Sequence, residues 1–218
     1  MLAKVLRNNL FFLVPYTLLF LGTGFVLLLF PKGDIHLWIN QFNSPFFDRL
    51  FPIVTMLGDG WFVTLPVLLL LFVSLRDSVY VLAAYLSTGL VAQILKRFIF
   101  EDCARPYRYF QDSAQLHLVE GVRMLSGHSF PSGHATSAFA LFLSLAMISR
   151  NRTVKLVSFG IATVVAFSRI YLSQHFLGDV VAGSLIGVLG SLAFYTIFYR
   201  DNRKWHGCTI QNIFNDRK

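Results

Sequence analysis

Long apolar runs, each closed by a short cluster of charged or turn-forming residues, set the rhythm of this sequence. Residues 10–30 stay apolar for about 20 positions, the length that a hydrocarbon core about 30 Å thick demands of a helix, and Pro31-Lys32-Gly33-Asp34 closes the run. A second run, 61–75, ends at Arg76-Asp77 and carries Pro66, where a kink is expected. Residues 79–95 follow after a turn too short for anything but an antiparallel neighbour, and Lys96-Arg97 ends them. Three more runs, 134–148, 156–172 and 177–198, come after a polar stretch. The pattern predicts an all-α polytopic membrane protein in which six transmembrane helices form a single domain over residues 1–218.

The segments between the runs are less regular. Residues 36–59 mix Trp38, Phe42, Phe46, Phe47 and Phe51 with polar groups, as suits a segment lying in the interface or packing over the mouth of the bundle. Between Phe100 and Ser132, two short apolar-alternating stretches flank Glu120-Gly121, which suits a hairpin or, nearly as well, a surface helix. Gly183 and Gly187 make a small-xxx-small pair on the sixth run, and close packing inside the bundle explains it better than dimerisation.

Composition agrees with a membrane protein: 55% of the 218 residues are hydrophobic and 14% charged, against about 25% charged in soluble domains. The net charge of +8 forms no continuous basic stripe, which argues against a nucleic-acid partner; Lys and Arg cluster at the ends of the runs. Placing Lys4, Arg7, Arg76, Arg150, Arg152, Lys155 and the basic tail 201–218 inside gives both termini a cytoplasmic location under the positive-inside rule. Compact size suggests a bacterial inner membrane. The two cysteines, Cys103 and Cys208, then face opposite sides, and no internal disulfide is expected. Lys4 and Arg7 before an apolar run resemble a signal peptide, but the run is too long and lacks a small-x-small cleavage pattern, so a retained first helix is expected.

This topology collects Lys96, Arg105, Ser132, His134, Arg169, His175 and Asp179 near the outer ends of helices three to six. His175 and Asp179 are four apart, so a sixth helix starting near Gln174 would let the carboxylate hold one ring nitrogen and leave the other free to attack. A lone His-x-x-x-Asp at a helix end is more often a structural hydrogen bond, so its surroundings decide. Lys96, Arg105 and Arg169 would repel one another unless an anion joins them, and the arginine fork suits phosphate. A lone Lys96 at a helix end would otherwise simply snorkel to the interface. Ser132-Gly133-His134 opens the fourth helix, whose free N–H groups favour an anion; Ser132 serves as N-cap, Gly133 admits a close ligand, and His134 could protonate a leaving oxygen. The histidines lack metal-ligand spacing, so neither a metal nor another cofactor is expected.

The motifs Lys96…Arg105-Pro106, Pro131-Ser132-Gly133-His134 and Ser168-Arg169-x5-His175-x3-Asp179 together resemble the three-part signature of the type 2 phosphatidic acid phosphatase family, which shares its site with vanadium haloperoxidases. The resemblance covers roughly residues 60–200. The first part departs from the family: eight residues rather than six separate Lys96 from Arg105-Pro106, so either Phe100 to Cys103 bulges out or another cation replaces Lys96. The resemblance implies a phosphohistidine at His175, oriented by Asp179. It also implies that His134 is the general acid and then the activator of water, and that Lys96, Arg105, Ser132, Gly133 and Arg169 bind phosphate. A lipid phosphate or isoprenoid diphosphate at the outer, periplasmic leaflet is the implied substrate. Lipid binding or transport without hydrolysis, phosphotransfer between lipids and halide oxidation are the alternatives.

Overall fold

The computed structural model describes residues 2–111 and 116–200; the basic tail and Cys208 lie outside the described residues. A short helix α1 (Leu2–Asn8) leads into α2 (Leu10–Leu29), whose 20 residues rise about 30 Å. Most of its apolar side chains face outward and only Phe12 and Tyr16 are buried, the distribution expected of a helix against lipid. The chain then folds over one end of the bundle as α3 (Lys32–Asn40), α4 (Pro45–Val54) and a 3-10 turn, Thr55–Gly58. Ser44 caps α4 by accepting from the Phe47 N–H, with Pro45 in the first turn where no N–H is needed. The aromatic segment expected over the mouth of the bundle therefore does lie there.

The second expected span is shorter than its apolar run. Only Thr64–Leu71, helix α5, is helical, and 8 residues rise about 12 Å, well short of the hydrocarbon thickness. Gly58-Asp59-Gly60 breaks the backbone before it, and Pro66 falls in the first turn, where it starts the helix rather than kinking it. Helix α6 (Leu75–Ile94) returns antiparallel and continues into a π turn, Leu95–Ile99, closed by a bond from the Phe100 N–H to the Leu95 carbonyl five residues back. A one-turn helix α7 (Pro106–Phe110) follows.

Helix α8 (Gly133–Ile148) is buried on nearly every side, which explains why it is apolar all round although its 16 residues rise only about 24 Å. It is the centre of the bundle, surrounded by α6, α9 (Arg152–Tyr171) and α10 (Leu177–Tyr199). Among the described residues, four helical stretches, Leu10–Leu29, Leu75–Ile99, Arg152–Tyr171 and Leu177–Tyr199, are long and apolar enough to cross a membrane. The expected six full-length spans are not present among the described residues.

The glycine pair on α10 packs inside the bundle, as expected. A Cβ on Gly183 would lie 2.4 Å from the Ser132 carbonyl oxygen, and one on Gly187 2.5 Å from that of Thr136. No side chain fits there, and α10 lies directly against α8. The expected hairpin is absent: Glu120-Gly121 makes a turn, with Gly121 at φ +78° and a bond from Val122 N–H to the Val119 carbonyl, but no ladder flanks it. Side chains and loop carbonyls satisfy this stretch instead, as when Asn40 pairs with both the N–H and the C=O of His117 at 2.8 and 2.9 Å.

Candidate active site

The end of α9 sets the position of the central histidine. Ser173 N–H bonds to the Ile170 carbonyl, and both Gln174 N–H and His175 N–H bond to the Arg169 carbonyl, a Schellman-type close to the helix. Ser173 occupies the left-handed position usually given to glycine, at φ +51°. Its hydroxyl is held by His36 Nε2 at 3.2 Å and Asn40 Nδ2 at 3.4 Å, both from α3, so the overlying segment fixes this strained turn. The five residues between Arg169 and His175 are thus the length of one capping turn, and they bring the guanidinium within electrostatic reach of the imidazole.

His175 precedes α10 rather than lying on it, because that helix starts at Leu177 and not near Gln174. Its Nδ1 stands 3.5 Å from Asp179 Oδ2, longer than a good hydrogen bond. The same carboxylate oxygen accepts from Ser129 Oγ at 2.5 Å and from the Phe176 N–H at 3.0 Å, and Ser129 Oγ is also 3.5 Å from Nδ1. Ser129 therefore belongs to the dyad, and nothing in its spacing announced it beyond its place two residues before Pro131. His175 is 1% exposed. Burial, followed by the charges of Arg105, Arg169 and Lys96, holds its pKa well below the ordinary 6.5, so the imidazole is neutral and its lone pair is available.

The cations converge on that ring. Arg169 donates to Thr55 Oγ1 at 2.7 Å, while its buried Nε has no partner among the described residues. Arg105 donates from Nε to the Gly127 carbonyl at 3.0 Å and from Nη1 to both oxygens of Gln174, at 3.0 and 3.2 Å. Part of Arg105 thus positions the residue next to His175, a role the motif alone did not reveal. Lys96 lies in the π turn, within electrostatic reach of Arg105, Arg169 and Asp179. The π turn and the turn closed by Cys103 N–H on the Phe100 carbonyl take up the longer spacing, so Lys96 is not displaced from the group.

Ser132 caps α8, accepting from the Ala135 N–H at 3.4 Å, and its own N–H donates to the Asp179 carbonyl at 2.9 Å. That bond, with the glycine contact below it, ties the two histidine-bearing motifs together. A Cβ on Gly133 would meet nothing within 4 Å, so packing does not require glycine there and the space before the helix N-terminus is open. His134 directs Nε2 at Asp59 Oδ1, 2.7 Å away. All eight expected site residues thus gather at the end of the bundle opposite Leu2 and Tyr199. Among the described residues, no three His, Cys, Asp or Glu side chains cluster as metal ligands would.

His36 completes the rear wall, stacked on Phe110 and edge-on to Phe176 with ring centroids 5.8 and 5.4 Å apart. Burial pulls its pKa down to about 4, against the opposing charge of Asp179, so it stays neutral at physiological pH. A second polar knot ties α4 to the loop at His117 and to the end of α9: His117 Nε2 lies 3.0 Å from both Asp48 oxygens, and Tyr171 donates to Asp48 Oδ1 at 2.6 Å.

A lipid A 4′-phosphatase of Bacteroides thetaiotaomicron is 28% identical to this chain over 173 residues, 75% of each protein. The crystal structure of Aquifex aeolicus LpxE superposes with a TM-score of 0.65 at 27% identity, covering 75% of this chain and 93% of that one. A transmembrane PAP2-type phosphatidylglycerolphosphate phosphatase from Bacillus subtilis gives a TM-score of 0.65 at 23% identity over 89% of this chain and 99% of its own, a likeness of fold. The PAP2 superfamily profile matches residues 77–203, more than half of the sequence and all three motifs, and the chain is an integral membrane member of that superfamily.

Proposed function

We propose that the protein is a membrane lipid phosphatase that works through a phosphohistidine on His175. The observation that carries this reading is the buried, neutral His175 set among Lys96, Arg105 and Arg169, with the Arg169 Nε–H left without an acceptor among the described residues. Three cations around a neutral nucleophile are balanced by a phosphate dianion, and the unpaired donor gains a partner when one binds. His175 Nδ1 faces Asp179, which leaves Nε2 to attack phosphorus while the bond to the leaving oxygen breaks. Asp179, held by Ser129 and the Phe176 N–H, keeps the tautomer and stabilises the imidazolium that forms. His134 gives a proton to the leaving oxygen and then takes one from the water that cleaves the N–P bond. Lys96, Arg105, Arg169, the Ser132 hydroxyl and the Gly133 N–H bind the phosphoryl oxygens, and no step requires a metal or another cofactor.

The placement of cations at the opposite end supports cytoplasmic termini and a site facing the periplasm of a bacterial inner membrane. The relatives acting on lipid A make a phosphorylated lipid A the first substrate to test, beside phosphatidic acid, phosphatidylglycerol phosphate and undecaprenyl diphosphate. Purified protein in detergent should release phosphate from at least one of these and form an acid-labile phosphoenzyme that His175→Ala lacks. Binding of all four with no phosphate released would leave a carrier protein instead.

A further inference from the structure

The acid assigned to His134 has a partner that lies outside every motif. Asp59 Oδ1 is 2.7 Å from His134 Nε2, the length of a charge-assisted hydrogen bond. Asp59 precedes the stretch matched to the family, residues 77–203, and sits in the break between the 3-10 turn and α5. The fold delivers it there by close packing. A Cβ on Gly58 would stand 2.9 Å from Val165 Cγ1, 3.1 Å from the His134 carbonyl oxygen and 3.2 Å from His134 Cβ, so the backbone at 58 lies flush against His134. Asp59 N–H closes on the Met56 carbonyl, while its own carbonyl accepts from Tyr85 Oη at 3.2 Å and from the Phe62 N–H at 3.1 Å. The same turn offers Thr55 Oγ1 to Arg169. One short segment therefore braces both the candidate acid and a phosphate-binding arginine.

An imidazole at this position has a specific difficulty. To act as an acid it must carry a proton, and burial, followed by the charges of Arg169, His175, Lys96 and Arg105, pushes its pKa down and disfavours the charged ring. Asp59 is the carboxylate placed against it, with its side chain 35% exposed. We infer that Asp59 is the positioning residue of His134: it binds Nε2–H, favours the protonated ring, and leaves Nδ1 as the atom that moves the proton. In the first half-reaction the His175–phosphorus bond forms, the phosphorus–oxygen bond to the leaving group breaks with its electrons on that oxygen, and the Nδ1 proton passes to it. In the second, Nδ1 takes a proton from water as its oxygen attacks phosphorus and the N–P bond returns its electrons to His175. The proton count closes over the cycle with phosphate and the free alcohol as products.

This inference rests on the phosphatase reading, and its test separates the two. Asp59→Asn keeps the shape and an acceptor oxygen but removes the charge. Phosphate release is measured from phosphatidic acid, whose alkoxide leaving group needs the proton, and from p-nitrophenyl phosphate, whose leaving group does not. Asp59→Asn should lower kcat about 10- to 100-fold on the first and far less on the second, within the range of a general acid's contribution. The alkaline limb of its pH profile should move to lower pH, since the protonated ring is lost sooner, and Asp59→Glu should move it back. In a His134→Ala background the same substitution should change the rate less than about twofold, because its effect runs through that ring. Equal losses on both substrates with an unmoved pH profile, a full additional loss beside His134→Ala, or wild-type rates would each overturn the inference. If the wild type is active, His175→Ala is dead and Asp59→Asn is unaffected, only Asp59 loses its role; if the wild type releases no phosphate from any substrate, the phosphatase reading itself falls.

Discussion

Replacing Gly183 by alanine tests how the bundle assembles the site. The new methyl carbon would sit 2.4 Å from the Ser132 carbonyl oxygen, whereas ordinary contact begins at 3.4 Å, so α8 and α10 must separate by about 1 Å at this level. The obstruction is backbone, which cannot rotate away, and Thr136 Oγ1 at 3.1 Å and Ala135 Cβ at 3.3 Å crowd the same space. Overpacking of this kind costs about 1–3 kcal/mol of stability. Its effect on catalysis is larger, because Ser132 N–H donates to the Asp179 carbonyl across this contact and His134 follows two residues later. A misplacement of about 1 Å between reacting groups lowers rate by about 10²-fold. Gly89→Ala is the control: a Cβ there meets nothing within 4 Å, and exchanging Gly for Ala inside α6 should stabilise by up to about 1 kcal/mol with no loss of activity. Melting temperature in detergent and initial rates of phosphate release, measured on both variants and the wild type, decide the matter. Wild-type kcat and melting temperature in Gly183→Ala would refute the claim that this contact holds the two motifs in register.

His175→Ala should abolish turnover on every substrate, whereas the loss in His134→Ala should be greater on a lipid monophosphate than on an isoprenoid diphosphate, whose leaving phosphate is already a stabilised anion; a ratio of losses at or below one would withdraw His134 as the acid. The depressed pKa of His175 has a sign that can be checked: a nucleophile neutral at all but low pH keeps its activity until pH falls through that lowered value, so the acid limb of kcat/KM should lie below 6.5. Arg105→Gln removes the leading charge behind that depression and should move the limb upward toward 6.5, read as the difference between variants so that substrate ionisation cancels; an unmoved limb would assign it to another group. Vanadate should inhibit as a mimic of pentacoordinate phosphorus and EDTA should not, and activity lost in EDTA and restored by magnesium would show that the site needs a metal.

Apolar run lengths and their polar punctuation were sufficient to read an all-helical membrane bundle, because a helix that must cross hydrocarbon writes its length and composition into consecutive residues. The cation-rich motifs were legible for a related reason: imidazole and guanidinium groups beside apolar runs are costly without a use, so Arg169, His175 and His134 stood out locally. What only the tertiary structure decided depends on contacts between residues far apart in sequence. Asp59 reaches His134 across 75 positions and Thr55 reaches Arg169 across 114, through a turn whose sequence, Leu57-Gly58-Asp59-Gly60, reads locally as a loop. Ser129 joins the dyad because the loop before Pro131 is pressed onto Asp179, and Ser173 holds a left-handed turn only because His36 and Asn40 descend on it from α3. The failed hairpin and the shortened α5 have the same origin. Hydrophobic pattern records what a segment must bury, while the partners that satisfy its backbone, such as Asn40 on His117, are supplied by the rest of the fold.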